Sequence, residues 1–145
     1  MDILPDGSWE LDRGESALAL NCISAAILPL DTNLAPKERI ERIYDESLPI
    51  FDRIENLEKN STLRLNSAET RILEDAVSIA RDNYFLAVGM YSGIRSTLKM
   101  SHEQMESFLQ TLSETSTFHE QLKVVLSTGV AALTLSGIIE IQKYT

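Results

Sequence analysis

The chain has 145 residues, of which 43% are hydrophobic and 24% are charged, and its formal net charge is −9. This composition is ordinary for a globular protein and argues against intrinsic disorder. The negative charge is concentrated in residues 1–58, which hold 13 acidic and five basic residues, whereas residues 59–145 hold nine and eight. Because contacts to nucleic-acid phosphates need clustered Lys and Arg, we predict no nucleic-acid binding.

The length of the chain suits one domain. No linker-like or repeated segment is visible, so residues 1–145 are predicted to form a single domain. The single cysteine, Cys22, lies in an apolar stretch and can form no internal disulfide. Residues 1–6 lack the basic region and the apolar core of a secretory signal. We therefore predict a cytoplasmic protein in which Cys22 is a small core residue.

The first 11 residues differ from the rest of the chain. The turn-forming residues Pro5-Asp6-Gly7 lie shortly before Trp9, a pattern typical of a small hairpin or an irregular segment. We predict a short non-helical N-terminal arm, residues 1–11, that packs Trp9 against the rest of the protein.

Helix starts are marked along the remainder of the chain by polar capping residues followed three positions later by Glu or Gln. The capping side chain accepts a hydrogen bond from a backbone N–H that has no partner within the helix. These pairs are Asp12 with Glu15, Asn66 with Glu69, Ser101 with Gln104, and Thr117 with Glu120. Pro36 marks one more start, since its backbone suits the first helical turn.

These starts and the helix-breaking residues predict an all-α fold, a compact bundle of four to five helices. The predicted helices span residues 13–28, 36–59, 67–99, 102–113 and 118–142. Pro29 ends the first helix, and residues 60–62 and 113–117 form loops. Pro49 lies inside the second helix, where we expect a kink or a break with Ser47 as a new cap.

Three stretches without a charged residue indicate the core: residues 16–30, 83–94 and 124–139. The middle stretch belongs to the third helix, whose apolar residues alternate in steps of four and three. Those residues are Leu73, Val77, Ala80, Tyr84, Ala87, Tyr91, Ile94 and Leu98. Because a helix that is apolar on all sides is expected to be buried on all sides, we predict that the middle of this helix is the centre of the fold.

Two glycines in that stretch, Gly89 and Gly93, each weaken the helix by about 1 kcal/mol relative to alanine. We interpret them as a flat face on which another helix backbone packs closely. The last helix carries matching small residues: Thr128, Ala132 and Ser136 are spaced four apart, and Gly129 and Gly137 flank them. We therefore predict that the last helix packs on the Gly89/Gly93 face, within one chain or between two.

Small residues at this spacing also occur in membrane helices. The stretch 124–139 has only 16 residues and includes four Ser or Thr hydroxyls. A membrane span needs about 20 predominantly apolar residues. We therefore predict a buried helix and no membrane insertion.

No set of residues marks a catalytic, cofactor or metal site. His102 and His119 lie near predicted helix starts, where polar residues are routine, and with Cys22 they form no metal-ligand spacing. Six residues separate Arg95 from His102, and this pair resembles the Arg-x(4–6)-His element of HEPN ribonucleases. The resemblance implies that the two side chains act on RNA in the cleft of a dimer.

A second resemblance concerns four glutamates, Glu38, Glu41, Glu55 and Glu58. Their two Glu-x-x-Glu motifs are similar to the acidic motifs of MazG-type nucleotide pyrophosphohydrolases. That resemblance implies carboxylates that hold Mg²⁺ against a triphosphate. The other interpretation is a solvated helix face, on which glutamates pair with basic residues four positions further on.

The function that we predict is protein–protein interaction without catalysis, by an acidic helical protein of the inhibitor, immunity or adaptor type. Its predicted contact surface for a basic protein partner comprises Glu38, Glu41, Asp45, Glu46, Asp52 and Glu55. The generous charge-free stretches further predict self-association, as a homodimer or larger homo-oligomer, through the first or the last helix. An all-helical hydrolase is the alternative, with the four glutamates or the Arg95/His102 pair as its site.

Overall fold

The computed structural model describes residues 1–27, 35–113 and 118–144. These residues contain five helices and a three-stranded antiparallel sheet. The elements are β1 (Asp2–Ile3), β2 (Trp9–Leu11), α1 (Arg13–Ala26), α2 (Lys37–Glu55), β3 (Leu63–Leu65), α3 (Ser67–Thr97), α4 (His102–Ser113) and α5 (Phe118–Lys143). The predicted helical bundle with a short non-helical N-terminal arm is confirmed.

Three of the predicted helix caps are present, and each is reciprocal. At the start of α1, the Asp12 carboxylate accepts a hydrogen bond from the Glu15 backbone at 2.8 Å, and the Glu15 carboxylate accepts one from the Asp12 backbone at 2.9 Å. The same exchange begins α3 and α4. The predicted cap at Thr117, the predicted helix end at Pro29 and the predicted loop over 114–117 lie outside the described residues.

The N-terminal arm is a hairpin that joins a third strand from the middle of the chain. Strand β2 pairs with β1 on one side and with β3 on the other, and Trp9 lies opposite Leu65. Leu63 and Leu65 point into the core while Arg64 between them is exposed, the alternation expected of a half-buried strand. Trp9 is buried, so the arm does pack against the rest of the protein.

Helix α2 runs without a break through Pro49, so the predicted break at this residue is wrong. Proline removes one backbone hydrogen bond. The buried residues Ile43 and Ile50 lie on the two sides of this point and pack into the same core, which holds both halves of the helix together. Ser47 does not cap a new helix, because its buried hydroxyl donates to the Tyr44 carbonyl oxygen at 3.3 Å.

Helices α1, α3 and α5 pack against one another at the centre of the bundle. Leu135 of α5 is fully buried, as are Ile23 of α1 and Leu73 of α3. Helices α3 and α5 run antiparallel, because Lys143 at the end of α5 forms an ion pair with Glu74 near the start of α3. The core therefore lies between α1, α5 and the first half of α3.

The predicted close packing of α5 on Gly89 and Gly93 within one chain is wrong. Both glycines are exposed, and a methyl group added at either would meet no atom within 4 Å. The side of α3 that faces α5 is the row of apolar residues that includes Tyr84 and Ala87, and the glycines lie on the opposite side. The prediction that the middle of α3 is buried on all sides at the centre of the fold is therefore wrong, since Phe85, Gly89 and Gly93 are exposed. Packing between two copies through the glycines stays a prediction.

Close approach occurs instead on α5. A methyl group at Gly129 would overlap the ring of Tyr84, so this glycine makes room for an aromatic side chain of α3. Ala132 is fully buried, and the Ser136 hydroxyl accepts a hydrogen bond from Arg81 at 3.0 Å. Gly137, by contrast, lies on the exposed side of α5 with open space around it.

Candidate protein-binding site

Helix α2 presents one side to the core and the other to solvent. Its fully buried residues, Ile43, Ser47 and Ile50, follow steps of four and three, which place them on one stripe of the helix. The opposite side therefore projects away from the bundle along the full length of α2. The predicted acidic residues lie on this helix, and all of them are exposed.

Four of the predicted carboxylates form a single row on the outward side. At 3.6 residues per turn, Glu38, Glu41, Asp45 and Asp52 fall within about 60° of arc. We call these four residues the acidic row. Glu55 lies on the same outward side, about 40° beyond Glu41. The predicted member Glu46 does not belong to this face, since it lies on another side of α2 and pairs with Arg42 at 2.9 Å.

Little positive charge neutralises this face. Lys37 lies 3.8 Å from the carboxylate of Glu41, an exposed pair of the kind that contributes little energy. Among the described residues, no ion pair involves Glu38, Asp45, Asp52 or Glu55. The field of the acidic row therefore extends into solvent and is available to a cation.

Apolar side chains lie directly beside the acidic row. Tyr44 and Leu48 are each 51% exposed, and Phe51 is half-buried. Their spacing of four and three residues places them on one stripe between the acidic row and the core stripe. We call Tyr44, Leu48 and Phe51 the apolar stripe.

Two grooves border Tyr44. One, of about 580 Å³, lies toward the start of α2 and is lined by Ile27, Ala35 and Ile40 among others. The second, of about 330 Å³, lies toward the end of α2 and includes Ile27 and Phe51. This face thus combines unpaired carboxylates, exposed apolar side chains and concave surface that could accept a partner's side chains.

The apolar stripe was missed by the sequence analysis, which considered only the charges of this segment. The signal was present, because Tyr44, Leu48 and Phe51 repeat at helical spacing in a stripe beside the one that holds Ile43 and Ile50. A second apolar stripe on an otherwise polar helix is typical of a binding surface.

The four glutamates that resemble a magnesium site do not converge. Glu38 and Glu55 lie on the same continuous helix, and a rise of 1.5 Å per residue separates their backbones by about 25 Å. Within one chain, motifs this far apart cannot bind one metal ion, and the second motif extends past the end of α2 to Glu58. The predicted alternative site at Glu38, Glu41, Glu55 and Glu58 is therefore wrong. Within the described part of the chain, no group of three or more His, Cys, Asp or Glu is placed to hold a metal.

Arg95 and His102 both lie at the corner between α3 and α4, and each has a local partner. The Arg95 side chain donates to the Met100 carbonyl oxygen at 3.3 Å. The His102 ring nitrogen Nδ1 lies 2.9 Å from the Tyr91 hydroxyl, and Nε2 lies 3.9 Å from Glu106. These contacts stabilise the turn, and RNA cleavage by this pair stays a prediction. The side chain of His119 lies outside the described residues.

A groove of about 610 Å³ lies between α2, α3 and α5 and is lined by four arginines, Arg39, Arg42, Arg71 and Arg81. Three of these already have partners. Arg39 donates to the Asp75 carboxylate, Arg42 donates to the Glu46 carboxylate, and Arg81 donates to the Ser136 hydroxyl. Arg71 alone has no ion pair within the part of the chain that the structure describes. The groove is consequently not a cluster of free cations.

Cys22 is fully buried, and burial raises the pKa of its thiol to about 12. Since the thiolate is the reactive form, we expect an aromatic disulfide reagent at pH 8 to leave the folded protein unlabelled for minutes. Addition of denaturant should release one reactive thiol per chain at once. The release of chromophore, followed by absorbance, measures both, and immediate stoichiometric labelling without denaturant would contradict the buried placement.

Comparison with protein-family models, with curated proteins and with solved structures finds no match to this chain.

Proposed function

We propose that the protein is a non-enzymatic interaction module that binds a basic protein partner through the outward side of α2. The observation that carries this proposal is the acidic row beside the apolar stripe, on one exposed helix side. Charge alone would describe a solvated helix. Exposed apolar side chains at Tyr44 and Leu48, next to carboxylates without ion pairs, are the combination that favours a binding surface.

The two components have different physical roles in this proposal. The acidic row attracts a positively charged partner over distance and raises the rate of association. The apolar stripe then supplies most of the contact energy, because partly exposed aromatic and aliphatic side chains lose water when a partner covers them. Tyr44 lies between the two grooves and is the proposed centre of the contact.

A partner that fits this surface is itself basic and carries at least one apolar side chain at the centre of its contact. Proteins with a basic surface commonly use it to bind nucleic acids. Covering such a surface would block that activity, so we propose an inhibitor of the immunity type as the most specific form of this function.

A charge-matched pair of variants tests the proposal. The first neutralises the acidic row with Glu38→Gln, Glu41→Gln, Asp45→Asn and Asp52→Asn. The control removes the same number of exposed carboxylates elsewhere, with Asp2→Asn, Asp82→Asn, Glu103→Gln and Glu106→Gln. The two variants and the natural chain are immobilised separately. Host proteins that each retains at low and at high salt are identified by mass spectrometry.

We expect a basic protein that is retained by the natural chain and by the control but lost from the acidic-row variant. With that partner purified, its association rate at low salt should fall about 10-fold or more in the acidic-row variant and become less sensitive to salt. Equal retention and an equal salt slope for the two variants would show that the acidic row is only a solvated helix side.

A further inference from the structure

A second apolar surface is exposed on the outward sides of α3 and α5, away from the candidate site on α2. We call it the outer face. Its members are Phe85, Val88, Gly89 and Gly93 of α3, and Val130, Leu133, Gly137 and Ile141 of α5. Phe85 is 55% exposed, Val130 67% and Ile141 66%.

The two helices form one continuous surface at this face. The ring of Tyr84 lies against Gly129, which joins α3 to α5 at this level. Phe85 follows Tyr84 and Val130 follows Gly129, and the rings of Tyr84 and Phe85 lie 5.9 Å apart. The exposed side chains of the two helices therefore flank the same interhelical contact.

The outer face is almost free of charge in a protein of net charge −9. Residues 83–94 and 124–139 contain no charged side chain, whereas the negative excess lies in residues 1–58. Two copies of this chain repel each other where their residues 1–58 come together. The outer face is a surface through which they can meet without placing like charges together.

The shape of the outer face also suits self-pairing. Its protruding side chains, such as Phe85 and Val130, lie on the same surface as exposed backbone at Gly89, Gly93 and Gly137, where nothing lies within 4 Å of an added methyl. In a two-fold arrangement the same patch serves both partners, so the ridges of one copy can enter the grooves of the other. We propose that the outer face binds the outer face of a second copy of this chain.

A membrane is the other environment that could cover apolar surface. The segment Val125–Lys143 of α5 is long and apolar enough to cross a bilayer by length and composition. However, Ala132, Leu135 and Ile139 on its inner side are buried in the core of the bundle. Withdrawing α5 into a bilayer would open that core, whereas a second copy covers the outer side and leaves the core intact.

The dimensions of the outer face indicate a reversible dimer. From Val130 to Ile141 it runs about 17 Å, and two adjacent helices are about 20 Å wide. The resulting footprint of about 350 Å² per copy is below the roughly 800 Å² of a standard stable interface. We therefore expect dissociation in the micromolar range rather than an obligate dimer.

Sedimentation velocity of the full chain between about 2 and 200 μM tests this proposal. We expect the natural chain to shift from monomer to dimer with concentration, and Val130→Lys and Ile141→Lys to remain monomeric throughout. Leu48→Lys is the matched control, since it adds the same charge at an exposed apolar residue of α2 and should dimerise as the natural chain does. Circular dichroism shows whether each variant is folded.

A natural chain that stays monomeric at 200 μM would overturn the proposal, as would dimerisation by both outer-face variants. If the monomer instead sediments with vesicles of phosphatidylcholine and phosphatidylglycerol, the outer face is a membrane-binding surface and the dimer is rejected. Binding of a basic partner through α2 is measured in a different experiment, so absence of a dimer would not contradict the proposed function.

Discussion

Replacing Leu135 by alanine is expected to lower the free energy of unfolding by about 2–5 kcal/mol. Leu135 is fully buried on α5, the helix that packs against both α1 and α3. Truncation removes apolar contacts and leaves a cavity that neighbouring helices can fill only in part. Because a domain of this size is stable by only about 5–15 kcal/mol, this is a large share of its total stability.

Leu133, two residues away on the same helix, provides the matched control. It is 37% exposed, so Leu133→Ala should cost well under half as much as Leu135→Ala. Urea unfolding followed by the fluorescence of Trp9, the single buried tryptophan, measures both. Equal losses for the two variants would mean that α5 does not present its Leu135 side to the core.

Alanine substitution of glycines is expected to have opposite effects at two positions. Gly129→Ala should destabilise the protein by about 1–2 kcal/mol, since an added methyl overlaps the Tyr84 ring from its Cγ to its Cε2 atom. Rotation of the ring about its own axis cannot relieve an overlap at Cγ, so either Tyr84 must leave its rotamer or α3 and α5 must separate. Gly93→Ala should instead stabilise by about 0.5–1 kcal/mol, because the site is exposed, helical and open.

These two effects are compared by thermal unfolding at about 1 μM, a concentration at which the proposed dimer would contribute little. Gly89→Ala provides a repeat of the Gly93 result at a second open helical site. A loss of stability on Gly93→Ala or Gly89→Ala, with no change on Gly129→Ala, would contradict this structure. It would support instead the close packing at Gly89 and Gly93 that the sequence predicts within one chain.

The starts of the helices were predictable because they depend on neighbouring residues, whereas the predicted end of the second helix at residue 59 is wrong, since α2 ends at Glu55. Asp12, Asn66 and Ser101 each bond to a backbone group three residues away, so the start of a helix is encoded within one turn. The outward position of the acidic row follows from spacing along a single helix in the same way. The repeat of Tyr44, Leu48 and Phe51 is equally local, so the apolar stripe was predictable too.

The arrangement of these elements depends on residues far apart in the chain, and single-sequence patterns do not resolve it. Leu63–Leu65 becomes a strand only because Trp9–Leu11, more than 50 residues earlier, pairs with it. Packing on a common core keeps α2 whole through Pro49. A charge-free helix has several apolar sides, and only the position of α5 decides that Ala87 is buried while Gly89 and Gly93 face solvent. The sequence therefore determined which segments are helical, and tertiary packing decided which of their sides remain free to bind.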